Sequence, residues 1–256
     1  MPELPDLEVF SRNLNRRIGR QRLDTLTLSS RAQSSAGAAR LRKALAGAQL
    51  RSVMRDGKEL HFHFGNGHVL ALHLMLHGRL YWQQERPEPH TLLTLAFANG
   101  RVLALADFQH KARITLDPEP AEAPDALSKQ VNLSFWKRQL QRKARIKNLL
   151  LDPKVVRGIG NAYADEILWE ARISPFSTAA AIPPEAVRAL ARAVPKVLKQ
   201  AQRQILRLTP DAIGGEERSF LAIHHTHKKT SPTGAAIRQR KSGRITYYTD
   251  EQQLYT

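Results

Sequence analysis

Pro2 and Glu3 are the residues whose types and placement most directly permit covalent chemistry. Initiator methionine is normally trimmed when the second residue is small, and trimming here leaves a free secondary amine with a carboxylate directly beside it. An α-amino group has a pKa of about 7.7–8.0 against about 10.4 for lysine, so roughly a tenth of it is an unprotonated nucleophile at neutral pH. A secondary amine that attacks a carbon such as a sugar C1′ gives an iminium ion without further activation, which is nucleophilic catalysis of the Schiff-base type.

The same residues also read as a helix start. Pro5 suits a first turn, where its missing N–H would have no partner anyway. Asp6 and Glu8 face the positive end of the helix dipole. Leu7, Phe10, Leu14 and Ile18 follow at helical spacing and predict a buried face as far as Gly19. Both readings hold together, because a helix behind Pro2 would fix the amine in place.

Residues 49–115 alternate with the two-residue period of half-buried strands, as in Leu60, Phe62 and Phe64 or Leu93, Leu95 and Phe97. Gly65-Asn66-Gly67 and Asn99-Gly100 are hairpin signals. This block predicts a β-sandwich or barrel, and the proline-rich stretch 117–124 predicts a linker. Beyond it the period becomes helical over 146–151, 161–171 and 184–207, until Gly214-Gly215 interrupts. The tail from His224 onward has weak strand character. The expected fold class is α+β: an N-terminal helix and β-sandwich or barrel over residues 1–120, a helical region over 130–222 and a small basic appendage over 223–256.

Forty Lys+Arg against 23 Asp+Glu give a net charge of +17, which favours a polyanionic partner. The excess is spread through folded-looking sequence, with dense stretches at 137–147 and 238–244, so a basic face is expected rather than a tail. No apolar run reaches the ~18 residues that span a bilayer, and no signal-peptide core is visible. No membrane partner and a cytoplasmic location are therefore expected. With no cysteine, disulfides and thiolate metal sites are excluded.

Four stretches in order carry a resemblance to the formamidopyrimidine-DNA glycosylase/endonuclease VIII family over nearly the whole chain. Pro2-Glu3-Leu4-Pro5 resembles the family's start. Arg55-Asp56-Gly57-Lys58, with His73-Leu74-Met75-Leu76-His77-Gly78, resembles its lysine loop and following strand. Ile146-Lys147 to Asp152, then Val156-Arg157-Gly158-Ile159-Gly160-Asn161 to Glu166, resembles its helix–two-turn–helix. Gly243-Arg244-Ile245-Thr246-Tyr247-Tyr248 resembles its C-terminal finger.

The resemblance implies a monomeric enzyme that removes oxidised bases from damaged double-stranded or partly single-stranded DNA. Pro2 would attack C1′, Glu3 would act as general acid at the ring oxygen, and β,δ-elimination would cleave the strand. Lys58 and Glu166 are the supporting catalytic candidates. Lys58, Lys147, Asn161 and Arg244 are the DNA contacts, with Leu76 as the apolar wedge. Asn161 also reads as a helix N-cap, and the helix it opens can receive a phosphate. A non-catalytic damaged-DNA binder on the same fold is the alternative. An RNA-associated basic protein would explain the charge but none of the four motifs.

The chain departs from the family pattern in the finger and near the substrate. Many members hold the finger with four cysteines on zinc, whereas the matching positions here are Thr230, Thr233, Thr249 and Gln252. A zincless hairpin is expected, held by Ile237, Ile245, Tyr247 and Tyr248, with no cofactor or metal. His224, His225 and His227 lack a carboxylate or thiolate beside them and read as phosphate or tail contacts. The family's 8-oxoguanine enzymes carry Asp-Pro-Arg-Arg-Phe-Gly where this chain has Asp107-Phe108-Gln109-His110-Lys111-Ala112. Their capping loop is shortened over 209–219, Leu76 replaces a methionine wedge, and Asp6 replaces a glutamate. These differences favour oxidised pyrimidines, formamidopyrimidines or hydantoins over 8-oxoguanine.

Overall fold

A computed structural model describes residues 1–84 and 87–256, which divide into two compact units. The first comprises Met1–Pro120 with Ile205–Glu216. Helix α1 (Leu4–Ile18) opens it and buries Leu7, Phe10, Leu14 and Ile18, the face its spacing predicts. β1 (Leu23–Leu28), β2 (Gln33–Ser34), α2 (Ala38–Leu45), β3 (Leu50–Asp56), β4 (Glu59–Phe64) and β5 (Val69–His73) follow, then β6 (Arg79–Gln83), β7 (Thr91–Phe97), β8 (Val102–Ala106) and β9 (Arg113–Leu116). They form a four-stranded sheet in the order β1-β7-β8-β6 and a five-stranded sheet in the order β2-β9-β5-β4-β3.

One apolar core joins α1 to both sheets through Leu93, Leu95, Leu103 and Leu105 on one side and Val53, Phe62, Leu72 and Ile114 on the other. That shared core makes the unit a sandwich. Strand β1 escapes the alternation pattern because its pairing with β7 shifts register between Leu23 and Thr25, leaving a burial sequence without a two-residue period. Residues 205–216, expected in the helical region, belong instead to this unit. Asn13 Nδ2 donates to the Ala212 carbonyl at 2.8 Å. A Cβ on Gly214 would meet the Leu80 carbonyl oxygen at 2.3 Å, so only glycine allows this close approach.

The second unit comprises Ala121–Gln204 and Glu217–Thr256. It contains α3 (Leu133–Gln139), α4 (Ile146–Leu151), α5 (Asn161–Glu170), most of α6 (Pro184–Leu208) and a hairpin of β10 (Arg238–Ser242) and β11 (Arg244–Tyr248). α6 buries Val187, Leu190, Val194, Leu198 and Ala201 on one face, the three-and-four spacing of an amphipathic helix. No helix among the described residues is long and apolar enough to cross a membrane.

Candidate functional site

In the first unit Pro2 is buried and Glu3 is only 4% exposed. Glu3 is the N-cap of α1, and it forms a reciprocal capping box with Asp6: its side chain accepts the Asp6 N–H, and its own N–H donates to Asp6 Oδ2 at 2.8 Å. Asp6 therefore anchors the backbone beside Pro2. The Met1 ammonium pairs with Glu216.

Lys58 lies in the two-residue turn between β3 and β4, after Gly57 at φ 58°. Glycine with positive φ at the first position of a two-residue turn is the preference of a type II′ hairpin. Arg55, whose side chain is 7% exposed, joins that turn to α1: its Nε donates to Glu8 Oε2 at 2.8 Å and its Nη1 to the Gly57 carbonyl at 3.2 Å. The Lys58 turn is thereby tied to the first turns of the helix that Pro2 and Glu3 precede. Motif reading passed over Arg55 and Glu8 as coupling residues, because nothing in their spacing, 47 positions apart, shows that they meet.

His73 ends β5 opposite Glu59, and its Nδ1 accepts the Met75 N–H at 3.0 Å. Burial pushes its pKa down, and the charges of Lys58 and Arg113 lower it further against Glu59. The neutral ring this favours is the form that can accept the bond. Met75 stands at φ 53° and Leu76 is 59% exposed at the loop tip. Its neighbour His77 packs on Phe108 with ring centroids 4.5 Å apart. Phe108 is 57% exposed and is a second apolar candidate that the sequence reading did not single out. Its loop is anchored by Asp107, whose side chain accepts the N–H groups of Gln109, Lys111 and Ala112 at 2.7–2.9 Å. Burial pushes the Asp107 carboxyl up, but those donors outweigh it and hold the group below the usual range.

In the second unit Gly160, not Asn161, is the N-cap of α5. Asn161 is the first helical residue, and its side-chain amide is engaged elsewhere: Nδ2 donates to the Ile245 carbonyl at 2.9 Å. That bond ties the start of α5 to β11 next to Arg244. Arg244 itself is exposed, directly after Gly243 at φ 73° in the hairpin turn.

Lys147 is 6% exposed and turned inward, contrary to its expected place against a phosphate. Its Nζ lies 2.6 Å from Asp165 Oδ1 and donates to Thr246 Oγ1 at 2.8 Å. The reason is the fully buried Asp165, whose other oxygen accepts the Tyr247 N–H at 2.9 Å and lies 2.7 Å from His224 Nδ1. This network fastens α4 and α5 to β11. His224 belongs to it and also packs edge-on against Tyr247. Glu166 accepts the N–H groups of Ala222, Ile223 and His224, each at 2.8 Å. Burial pushes its carboxyl up, opposed by those three donors. It fastens residues 222–224 to α5, so within this unit its role is positioning.

Apolar packing accounts for part of what holds the hairpin, with Tyr248 edge-on against Phe176 at a ring-centroid distance of 5.0 Å. Tyr247 is buried, but Ile245 is 40% exposed. A carboxylate gathers the polar groups around it: Glu251 Oε2 accepts from Thr233 Oγ1 at 2.9 Å, Thr249 Oγ1 at 3.2 Å and Trp169 Nε1 at 3.3 Å, while Oε1 pairs with Arg172 at 2.9 Å. Thr233 and Thr249 are two of the positions where a cysteine would hold zinc. Gln252, a third, donates to the Ile173 carbonyl at 2.9 Å and accepts the Thr249 N–H at 2.9 Å. No group of three or more metal-ligating side chains occurs among the described residues.

The Thr233 hydroxyl, with Trp169, Arg172 and Thr249, holds the Glu251 carboxyl below its usual range against desolvation. A depressed folded-state pKa means stabilisation that is present above the unfolded value, about 4.3, and is lost as pH falls through the folded value. The protection of backbone amides in residues 230–252, measured against the intrinsic exchange rate at each pH, is expected to be high at pH 7, with or without chelator, and to fall in acid. Glu251→Ala should lower it already at pH 7. Unchanged protection in that variant would show that another contact holds the hairpin.

The chain matches the model of the formamidopyrimidine-DNA glycosylase N-terminal domain over residues 1–114 and that of the family's helix–two-turn–helix domain over residues 123–207. It therefore belongs to the formamidopyrimidine-DNA glycosylase family and is a DNA glycosylase with abasic-site lyase activity, an enzyme class of base excision repair. It is 31% identical to the formamidopyrimidine-DNA glycosylase of Pelotomaculum thermopropionicum and 29% identical to that of Lactococcus lactis subsp. cremoris, with 97% of each chain covered in both comparisons. Among solved structures, the Lactococcus lactis Fpg protein in complex with abasic-site DNA superposes with a TM-score of 0.87 at 25% identity, covering 98% of this chain and 99% of that one. A complex of that protein with DNA containing an oxidised pyrimidine gives a TM-score of 0.85 at 25% identity over the same shares.

Proposed function

We propose that the chain excises oxidised bases from DNA in the bacterial cytoplasm through an imine on Pro2 and then cleaves the strand by β,δ-elimination. The observation that carries this reading is the buried Pro2–Glu3 start of α1, tied to the Lys58 turn by Arg55. Once Met1 is removed, the Pro2 nitrogen forms a bond to C1′ and the bond from C1′ to the base breaks. Glu3 donates its proton to the ring oxygen, which opens the sugar as the iminium forms. The iminium then acidifies C2′, and loss of that proton expels the 3′ phosphate, after which a second elimination expels the 5′ phosphate. Borohydride should therefore reduce the iminium and link the protein covalently to abasic DNA. The second reading, a damaged-DNA binder without catalysis, applies to material that keeps Met1, because the Pro2 nitrogen is then an unreactive amide. Intact mass decides which material is present. A chain that begins at Pro2 and still gives no trapped product would refute the imine.

Lys58, Asn161 and Arg244 are proposed to hold phosphates around the extruded nucleotide, Lys147 and Glu166 acting behind them by positioning. Lys58→Ala and Arg244→Ala should each weaken binding to all sequences alike and lower the salt slope by about one unit. Equal slopes in wild type and variants would place the clamp on other residues.

Extruding a base costs a few kcal/mol, least when it is damaged, mispaired or unpaired. Leu76 and Phe108 are the exposed apolar groups available to fill the vacated space, with no arginine between Gln109 and Lys111 to join them. Ring-opened purines, hydantoins and oxidised pyrimidines, in duplex, bubbles or single strands, are the proposed substrates. The oxidised-pyrimidine complex of the Lactococcus lactis relative supports this choice. In a single-turnover panel of lesion duplexes, 8-oxoguanine opposite cytosine should be slow, and finding it fastest would reverse the preference.

A further inference from the structure

The solvent face of α6 carries Arg188, Arg192, Lys196, Lys199 and Arg203, all exposed. At 3.6 residues per turn their spacing of four, four, three and four confines them to an arc of about 80°, and at 1.5 Å per residue they run along about 22 Å of helix. Lys196 pairs with Glu170 at 2.5 Å. For the other four, no ion pair occurs among the described residues.

This arrangement opposes the helix that carries it. Like charges at i,i+3 and i,i+4 disfavour a helix, and the stripe stacks four such pairs in succession. A local rule broken without a local compensation marks a place kept for function. Within the second unit the ridge is also separate from Asn161 and the start of β11. Lys196 touches Glu170 at the last residue of α5, whereas Asn161 and the Ile245 carbonyl meet at its first, about 14 Å away along the axis.

We infer that this ridge is a second, lesion-independent DNA-binding surface, which holds a separate duplex segment by its phosphates. Charge complementarity argues for a polyanion, and the burial of the opposite face argues against a membrane. Interfacial helices bind lipid by inserting their apolar side, and Val187, Leu190, Val194 and Leu198 are committed to the protein core. A duplex offers one phosphate per about 1.7 Å of axis, dense enough to meet every cation of the row.

The test fills the first site of the full-length protein with a biotinylated duplex carrying a stable abasic-site analogue, washes it on beads, and then adds a fluorescent undamaged duplex. Wild type should retain the second duplex and release it as salt rises. The variant R188Q/R192Q/K199Q/R203Q keeps good helix formers and should hold the first duplex as before. Its retention of the second should fall by about tenfold or more. Equal retention by both proteins, or none by wild type, overturns the inference. If neither protein holds the first duplex, the proposed function has failed and the ridge is read from binding to undamaged duplex alone. There the variant's salt slope should be lower by about three to four units, and equal slopes overturn it. Binding to phosphatidylserine vesicles that the substitutions abolish, without second-duplex capture, would assign the ridge to a lipid surface and equally overturn it.

Discussion

Exchange of Glu3 for glutamine is expected to give a protein that binds damaged DNA as the wild type does and releases base at least about 10²–10⁴ times more slowly, the span that general acid catalysis supplies. Glutamine keeps an oxygen to accept the Asp6 N–H, so the N-terminal cap of α1 and the stability of the fold should change little. What it loses is the proton that must reach the sugar ring oxygen as the imine forms. Pro2→Gly should also lower excision strongly, because the secondary amine that forms an iminium directly is gone. Single-turnover base release beside a binding titration separates chemistry from affinity. Wild-type release by Glu3→Gln would mean that another group supplies the proton.

Lys147→Met is expected to cost about 3–5 kcal/mol, the range for removing one partner of a buried ion pair. Asp165 is fully buried and would be left with His224 and the Tyr247 N–H against its charge. Urea unfolding measures the loss, and the Lys147→Met/Asp165→Leu double variant should lose less than the two single changes together. The same variant separates two roles for this lysine. Held inside, it acts on DNA only through the hairpin, so affinity should fall with the salt slope unchanged. A slope lowered by about one unit, as for Lys58→Ala, would place its ammonium at a phosphate. A stability loss below about 1 kcal/mol would show that the pair does not hold the hairpin.

Much of the architecture was legible along the chain because it depends on near neighbours. The 3.6-residue spacing of Leu7, Phe10, Leu14 and Ile18 and the two-residue spacing of Leu60, Phe62 and Phe64 give α1 and β4 as observed. Gly57 before Lys58 and Gly243 before Arg244 mark turns that need a positive φ at those places. β1 was not legible, because its irregular pairing with β7 breaks the alternation that a strand reading depends on.

The amino-acid sequence by itself determined which chemical groups are present and in what order: the terminal proline and its carboxylate, the turn lysine, the helix and hairpin motifs, and the lack of thiolates for zinc. Tertiary structure alone decided which of them are spent on each other. Lys147 stands in one of the most basic stretches of the chain, yet it is buried because Asp165, 18 positions later, turns inward beside it. Glu251 reads as one acid in a polar tail until Trp169, Arg172, Thr233 and Thr249 converge on it. Arg55 becomes a bridge only when Glu8 comes within 2.8 Å. A buried charge must find a partner, and the partner's distance along the chain sets no limit on its distance in space.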